Sequence, residues 1–246
     1  MLSGVYWNIG MEMDANQDSV ILERVMTKRG ELIIAGVCDG IGGLERGEIA
    51  SGYVTERLLS FFYEEILPRH KKKGFKRKIR KALLRCLYAT QRDLEQFGKQ
   101  EKCRLGTTIS MVIVWNNRYL WCHMGDSRIY RISWNICRQL TRDDRYDGKL
   151  TGALGSMPWT KPVIQTGHLF PGQGILLCSD GFWEKLDKKK ISDGLMYTAI
   201  HRNEQIDRHL KALGEYAMRQ GEKDNMSAIY LLRKKERQRE GVYGAL

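Results

Sequence analysis

No stretch of this chain is rich enough in proline, serine or glycine to serve as a linker, and no segment repeats another. One domain is therefore expected over residues 1–232, followed by a basic, poorly ordered tail over residues 233–246. No apolar run approaches the roughly 18 residues that a membrane span needs. The first residues, Met1-Leu2-Ser3-Gly4-Val5-Tyr6-Trp7, lack the basic start, apolar centre and small-residue cleavage site of a secretory leader, so a cytoplasmic location away from membranes is expected. The six cysteines form no Cys-x-x-Cys pair, and several sit in apolar strand patterns where a thiol behaves as a small hydrophobe. That speaks against a disulfide scaffold and against zinc held by sulfur.

Negative charge is in short supply: 29 acidic against 41 basic residues leave a formal net charge of +12. The excess is local, in Arg69-His70-Lys71-Lys72-Lys73, Lys76-Arg77-Lys78 and the tail that begins at Arg233. Nucleic-acid binding would need aromatic rings among the cations for stacking, and only Phe75 stands there. Solvated helix faces are the better reading, and no nucleic-acid partner is expected.

What the chain does contain is a series of carboxylates at strand ends. Ile33-Ile34-Ala35-Gly36-Val37-Cys38 reads as a buried strand that ends on Asp39-Gly40-Ile41-Gly42-Gly43, before a helical pattern that starts near Gly47. A carboxylate there can hold a hard cation, and a glycine beside it can turn its carbonyl to the same ion. Asn16-Gln17-Asp18, Leu176-Leu177-Cys178-Ser179-Asp180-Gly181 and Asp224-Asn225-Met226 have the same character, and Gly125-Asp126-Ser127-Arg128 lies between two strand-like runs.

Around these points, extended segments are expected at 5–10 and 19–26. Helices are expected from Gly47 to Ile66, stopped by Pro68, and from Phe75 to Phe97. Short strands at 107–115, 118–124, 127–134 and 136–140 read as one antiparallel meander, turned by Asn116-Asn117 and Trp134-Asn135. Strands at 163–169 and 174–178, helices at 188–201 and 203–219, and a strand at 226–232 that closes the sheet complete an α+β pattern.

In order and spacing, the five acidic stretches together with Gly47-Glu48-Ile49-Ala50-Ser51, Gly106-Thr107-Thr108, Leu140-Thr141-Arg142-Asp143 and Ala153-Leu154-Gly155 resemble the metal-dependent protein serine/threonine phosphatases of type 2C, in their compact microbial form. The likeness runs from near residue 10 to near residue 232. It implies a central antiparallel β-sandwich flanked by helix pairs, in α-β-β-α layers. It also implies hydrolysis of phosphoserine and phosphothreonine in proteins at a centre of two Mn²⁺ or Mg²⁺ ions. By that resemblance Asp39 bridges the ions, the Gly40 carbonyl, Asp180 and Asp224 complete the centre, and Asp18 helps through water. Asp126, with Asp180, matches a third and weaker metal site. Asp39, Asp180 and Asp224 are the catalytic candidates. Phosphorylated proteins would be substrates, a cognate Ser/Thr kinase a possible partner, and the chain a monomer.

The chemistry agrees. Four carboxylates in one dry cleft raise each other's pKa unless a cation neutralises them, and an oxygen-only donor set suits Mg²⁺ or Mn²⁺ rather than zinc. Two such ions roughly 3.5–4 Å apart can bring a bridging water to hydroxide near neutral pH and drive in-line displacement at phosphorus, with no covalent phospho-enzyme. No Cys-x5-Arg signature competes, so Cys38 and Cys178 are expected to be packing residues. Asn225 is expected to support Asp224 or nearby backbone, Arg128 to form a structural ion pair, Gly106-Thr107-Thr108 to allow close backbone packing, and Glu48 to favour a helix start.

Three departures stand out. Met13 occupies the place where relatives carry a phosphate-gripping arginine, which leaves that grip to Arg46 or another nearby cation. Ile41 stands where animal-type members have a histidine proposed as general acid. Residues 143–152 join two motifs much more directly than the flap of most relatives. The alternative to an enzyme is therefore the same fold with weak or no turnover, binding phosphoproteins or regulating a kinase.

Overall fold

From Leu32 to Cys38 every residue is buried, so the strand they form must be covered on both faces. A computed structural model, which describes residues 1–234 apart from 42, 43, 71 and 73, shows what covers it. Its first half runs β1 (Leu2–Asn8), β2 (Ser19–Thr27), β3 (Gly30–Cys38), α1 (Gly47–Phe61), α2 (Phe75–Glu101), β4 (Gly106–Thr107), β5 (Ile109–Trp115) and β6 (Arg118–Met124). The second half runs β7 (Arg128–Ser133), β8 (Ile136–Gln139), β9 (Arg145–Tyr146), β10 (Lys149–Leu150), β11 (Leu154–Gly155), β12 (Val163–His168), β13 (Gln173–Cys178), α3 (Asp180–Trp183), α4 (Lys188–Gly194), α5 (Asn203–Arg219) and β14 (Met226–Leu232).

Two five-stranded antiparallel sheets, ordered β12-β6-β5-β3-β2 and β1-β14-β13-β7-β8, lie face to face. Alternation along each strand sorts the side chains. Ile33, Ala35 and Val37 of β3 join Val112 and Trp121 against Ile175, Leu177, Ile229 and Leu231 of the other sheet. Leu32, Ile34 and Cys38 point the other way, into a core with Val54 and Leu58 of α1 and Leu83 and Leu87 of α2. On the far side, Ile206, Leu210 and Leu213 of α5 and Ile191 of α4 cover Leu176, Ala228 and Tyr230. The α+β class and the α-β-β-α layering are those expected from the sequence.

Several details differ from that expectation. The meander is not one sheet: β5 and β6 belong to one, β7 and β8 to the other, and the chain crosses between them at residues 125–127. Gly125 makes the crossover possible with φ +116, where a Cβ would lie 2.6 Å from Thr108. β14 does not close an edge but lies between β1 and β13. The helix from Gly47 ends in one wider π turn at Phe62–Ile66 before Pro68. The helix expected at 188–201 stops at Gly194, and a 3₁₀ turn at Tyr197–Ala199 follows.

Lys76, Arg77 and Lys78 lie on the exposed side of α2, the structural home expected for them. Arg233 is tied in rather than loose, its guanidinium donating to the Leu169 carbonyl at 2.8 Å. The rest of the expected tail, from residue 235, lies outside the described residues. All six cysteines are free thiols. Among the described residues no helix is long and apolar enough to cross a membrane.

Candidate metal centre

β3 delivers Asp39 to one end of the sandwich, and its backbone is clamped there. The Asp39 carbonyl accepts from Thr108 N (2.8 Å) and Thr107 Oγ1 (2.9 Å), while its N–H donates to Thr108 Oγ1 (3.1 Å). Gly106-Thr107-Thr108 is thus the close-packing segment expected, with the added task of aiming Asp39. Gly40 donates to the Gln17 carbonyl (3.1 Å), and a Cβ on it would lie 2.7 Å from that oxygen and 2.7 Å from Gly47 C. Only glycine fits beside Asp39.

Asp18 and Asp224 are held relative to each other by Asn225. Its Oδ1 accepts from Gln17 N (2.7 Å), and its Nδ2 donates to the carbonyls of Ile9 (2.7 Å) and Ala15 (3.2 Å). This is the backbone support expected of Asn225. Asp180 opens α3 directly after β13, and a Cβ on the following Gly181 would come within 2.3 Å of the Asn225 carbonyl. Asp126 rides on the crossover between the sheets, its carbonyl accepting from Trp183 Nε1 (3.1 Å).

Five strand ends from two sheets therefore bring their carboxylates to one place. Oxygens of Asp39, Asp126 and Asp180 all lie within 4.8 Å of one another. Asp18 is buried behind them, and its Oδ2 has no hydrogen-bond partner. Asp224 stands at the exposed rim, beside Gly181. Asp126, which the resemblance assigns with Asp180 to a third, weaker site, lies in the same cluster as Asp39 and Asp180.

The electrostatics are those of crowded, buried carboxylates. Burial, reinforced by the charges of Asp180 and Asp224 against the help of Ser227 and Ser179, pushes Asp18 up to about 7. Burial and the charges of Asp180, Asp18 and Asp126 hold Asp39 well above the usual carboxylate range. Burial and Asp180 raise Asp126 to about 6 even though Arg145 opposes them. Asp224 is raised by burial and then by Asp180. An orphaned buried carboxylate oxygen among oxygen-only donors is the setting that Mg²⁺ or Mn²⁺ satisfies, so the residues fit such ions.

A pH dependence follows. Where folding raises a carboxyl pKa, the folded protein holds the proton more tightly than the unfolded chain, so that stability is complete below about pH 4 and lost as pH rises. For Asp18 the loss extends through about 7. With chelator present, urea denaturation will show stability falling across that window, and Asp18→Asn will flatten the fall; parallel curves for the two proteins would contradict it.

Sequence reasoning missed Arg145. Residues 143–152, read as a shortened flap, form the hairpin β9–β10 around Asp147 (φ 48°) and Gly148 (φ 70°), the positive-φ pair of a type I′ turn. The Asp-Gly dipeptide was the available signal. Arg145 Nε donates to Asp126 Oδ2, and its Nη2 to Asp180 Oδ2 at 2.6 Å. Arg128, as expected, pairs structurally: it forks onto Asp143 (3.0 and 2.7 Å), bonds the Tyr130 hydroxyl (3.0 Å) and stacks 3.1 Å over Trp183.

The protein phosphatase 2C family model matches residues 12–221. The chain belongs to that family. Protein phosphatase PhpP of Streptococcus pneumoniae is 26% identical over 208 residues, spanning 76% of this chain and 80% of PhpP. Among solved structures, the catalytic domain of serine/threonine phosphatase PstP with two manganese ions aligns at TM-score 0.73 and 23% identity, over 93% of this chain and 96% of that one. Serine/threonine phosphatase Stp1 from Staphylococcus aureus aligns at TM-score 0.79 and 21% identity, over 96% of each chain. These structural likenesses establish the shared fold; the family match and the acidic cluster make this a metal-dependent protein phosphatase 2C.

Proposed function

We propose that this protein phosphatase 2C hydrolyses phosphoserine and phosphothreonine in phosphorylated proteins at a two-ion centre of Mn²⁺ or Mg²⁺. Asp39, the Gly40 carbonyl, Asp180 and Asp224 would hold the ions, with Asp18 behind them. The observation that carries this reading is the cluster of Asp39, Asp126 and Asp180 from separate strand ends, with Asp18 and Asp224 near enough for the charge of Asp180 to add to the rise that burial gives their pKa values. Bound divalent ions supply Lewis acidity and bring water's pKa into the neutral range.

The chain's own residues orient and exclude. Thr107 and Thr108 hold the Asp39 backbone in place at the end of β3 before any ligand arrives. Cys38 and Cys178 are fully buried, and burial pushes both thiols far up, which removes them as nucleophiles. Ile41 offers no proton to a leaving oxygen, which leaves that proton to solvent. A cognate Ser/Thr kinase that makes the substrates, action as a monomer and a cytoplasmic site of action belong to the same proposal. So does the division into a phosphatase domain over residues 1–232 and a basic tail.

Hydrolysis of a phosphothreonine peptide by the purified protein with Mn²⁺, abolished by chelator, is the direct test; metal binding without turnover would favour the non-catalytic alternative. Position 13 gives a finer one. Met11 N donates to the Lys223 carbonyl (3.1 Å) and Glu12 pairs with Lys223 (2.6 Å), so the loop carrying Met13 runs beside the turn of Asp224. Met13→Arg adds a charged donor at that edge and should lower KM for the phosphopeptide roughly 10-fold, the worth of one charge-assisted hydrogen bond. An unchanged or higher KM would count against it.

A further inference from the structure

We propose that Arg145 is a built-in counter-cation, whose guanidinium occupies the position between Asp126 and Asp180 that a third divalent ion would take, so that this chain saturates with two ions instead of three. The inference rests on the metal-centre reading above and concerns how many ions that centre admits.

Three nitrogens of Arg145 face three carboxylates. Nε donates to Asp126 Oδ2, Nη2 to Asp180 Oδ2 at 2.6 Å, and Nη1 lies 3.8 Å from Glu184 Oε1. A guanidinium is planar, forked and permanently charged, so it can bridge two carboxylates as an ion would while remaining tethered to the chain. An ion ligated by Asp126 and Asp180 would compete with Arg145 for Asp126 Oδ2 and Asp180 Oδ2.

The placement is enforced by the three residues before it. The Arg142 carbonyl contacts His123 Nε2 at 3.1 Å, and His123 is buried on Ser110 Oγ at 2.9 Å through its other nitrogen. Asp143 is gripped by Arg128. Asp144 exchanges bonds with Gly125, accepting from Gly125 N on Oδ2 (2.9 Å) and donating its own N–H to the Gly125 carbonyl (2.7 Å). Its carbonyl takes Thr151 N (2.7 Å), which closes the base of the hairpin. Gly125 adjoins Asp126, so the segment that carries the arginine and the segment that carries its carboxylate are bonded to each other. The two-residue turn bonded at its base holds the backbone of Arg145 beside Asp126.

Counting bound Mn²⁺ on the full-length protein by equilibrium dialysis and metal analysis, without substrate, tests the proposal. Wild type is expected to saturate at two ions, Arg145→Met at three, and Arg145→Lys, which keeps the charge, at two. With chelator present, Arg145→Met should melt at a lower temperature than wild type, and saturating Mn²⁺ should remove the difference. Three ions on wild type, no ion on wild type, or equal counts for wild type and a folded Arg145→Met would overturn it. Because the count uses no substrate, a protein that binds two ions yet hydrolyses nothing would defeat the phosphatase reading and leave this one standing.

Discussion

Asp39→Asn will reduce turnover of a phosphothreonine peptide by about 10³-fold or more, the factor that corresponds to about 4 kcal/mol of lost transition-state stabilisation on the scale of metal-ion catalysis. Asp39 faces three other aspartates of the cluster, Asp180, Asp18 and Asp126. The amide keeps the shape of the side chain and loses its charge, so a cation that Asp39 and Asp180 would hold together would lose one of its anionic donors. The fold should not suffer, because the Thr107 and Thr108 bonds reach the Asp39 backbone and not its carboxylate. Removing one of several crowded anions will if anything raise the melting temperature in chelator. Steady-state kinetics in Mn²⁺, with circular dichroism as the check on folding, decide it. A folded variant that retains more than a tenth of wild-type kcat would refute the role given to Asp39.

Arg128→Met will destabilise the protein by about 3 kcal/mol, the scale on which a mostly buried ion pair responds to losing one partner. Its side chain and that of Asp143 are only 19% and 20% exposed. Methionine fills much of the volume but strands Asp143, leaves the Tyr130 hydroxyl without its guanidinium and removes the cation from the face of Trp183. The damage reaches the metal centre by two routes: Trp183 holds the Asp126 carbonyl, and Asp143 stands two residues before Arg145. Urea denaturation gives the stability change, and a loss below about 1 kcal/mol, the level of an exposed pair, would show that the clamp does not matter. Activity of the folded fraction should fall too, because the hairpin would no longer be fixed at its base.

Local signals carried far where the pattern itself is local. Val37-Cys38-Asp39-Gly40 announced a buried strand ending on a carboxylate because continuous burial and a turn residue are both written in adjacent positions. Helix α5 and strand β14 have the bounds read from periodicity, Asn203–Arg219 and Met226–Leu232. Helix α4 ended early at Gly194, where a Cβ would lie 2.9 Å from Leu213 Cδ2, a contact with α5 that no stretch around Lys188 could foretell.

Thus the sequence by itself determined which carboxylates lie at strand ends, the alternation that demands two covered sheets, and the family to which the ordered motifs point. Only the tertiary structure decided that β6 and β7 part company at Gly125, that Asp126 joins Asp39 and Asp180 in one cluster, and that Arg145 bonds both Asp126 and Asp180. The reason is one of range: hydrophobic period and turn chemistry act over a few neighbouring residues, whereas the sheet a strand joins and the partner a charge finds depend on groups that folding brings together from far along the chain.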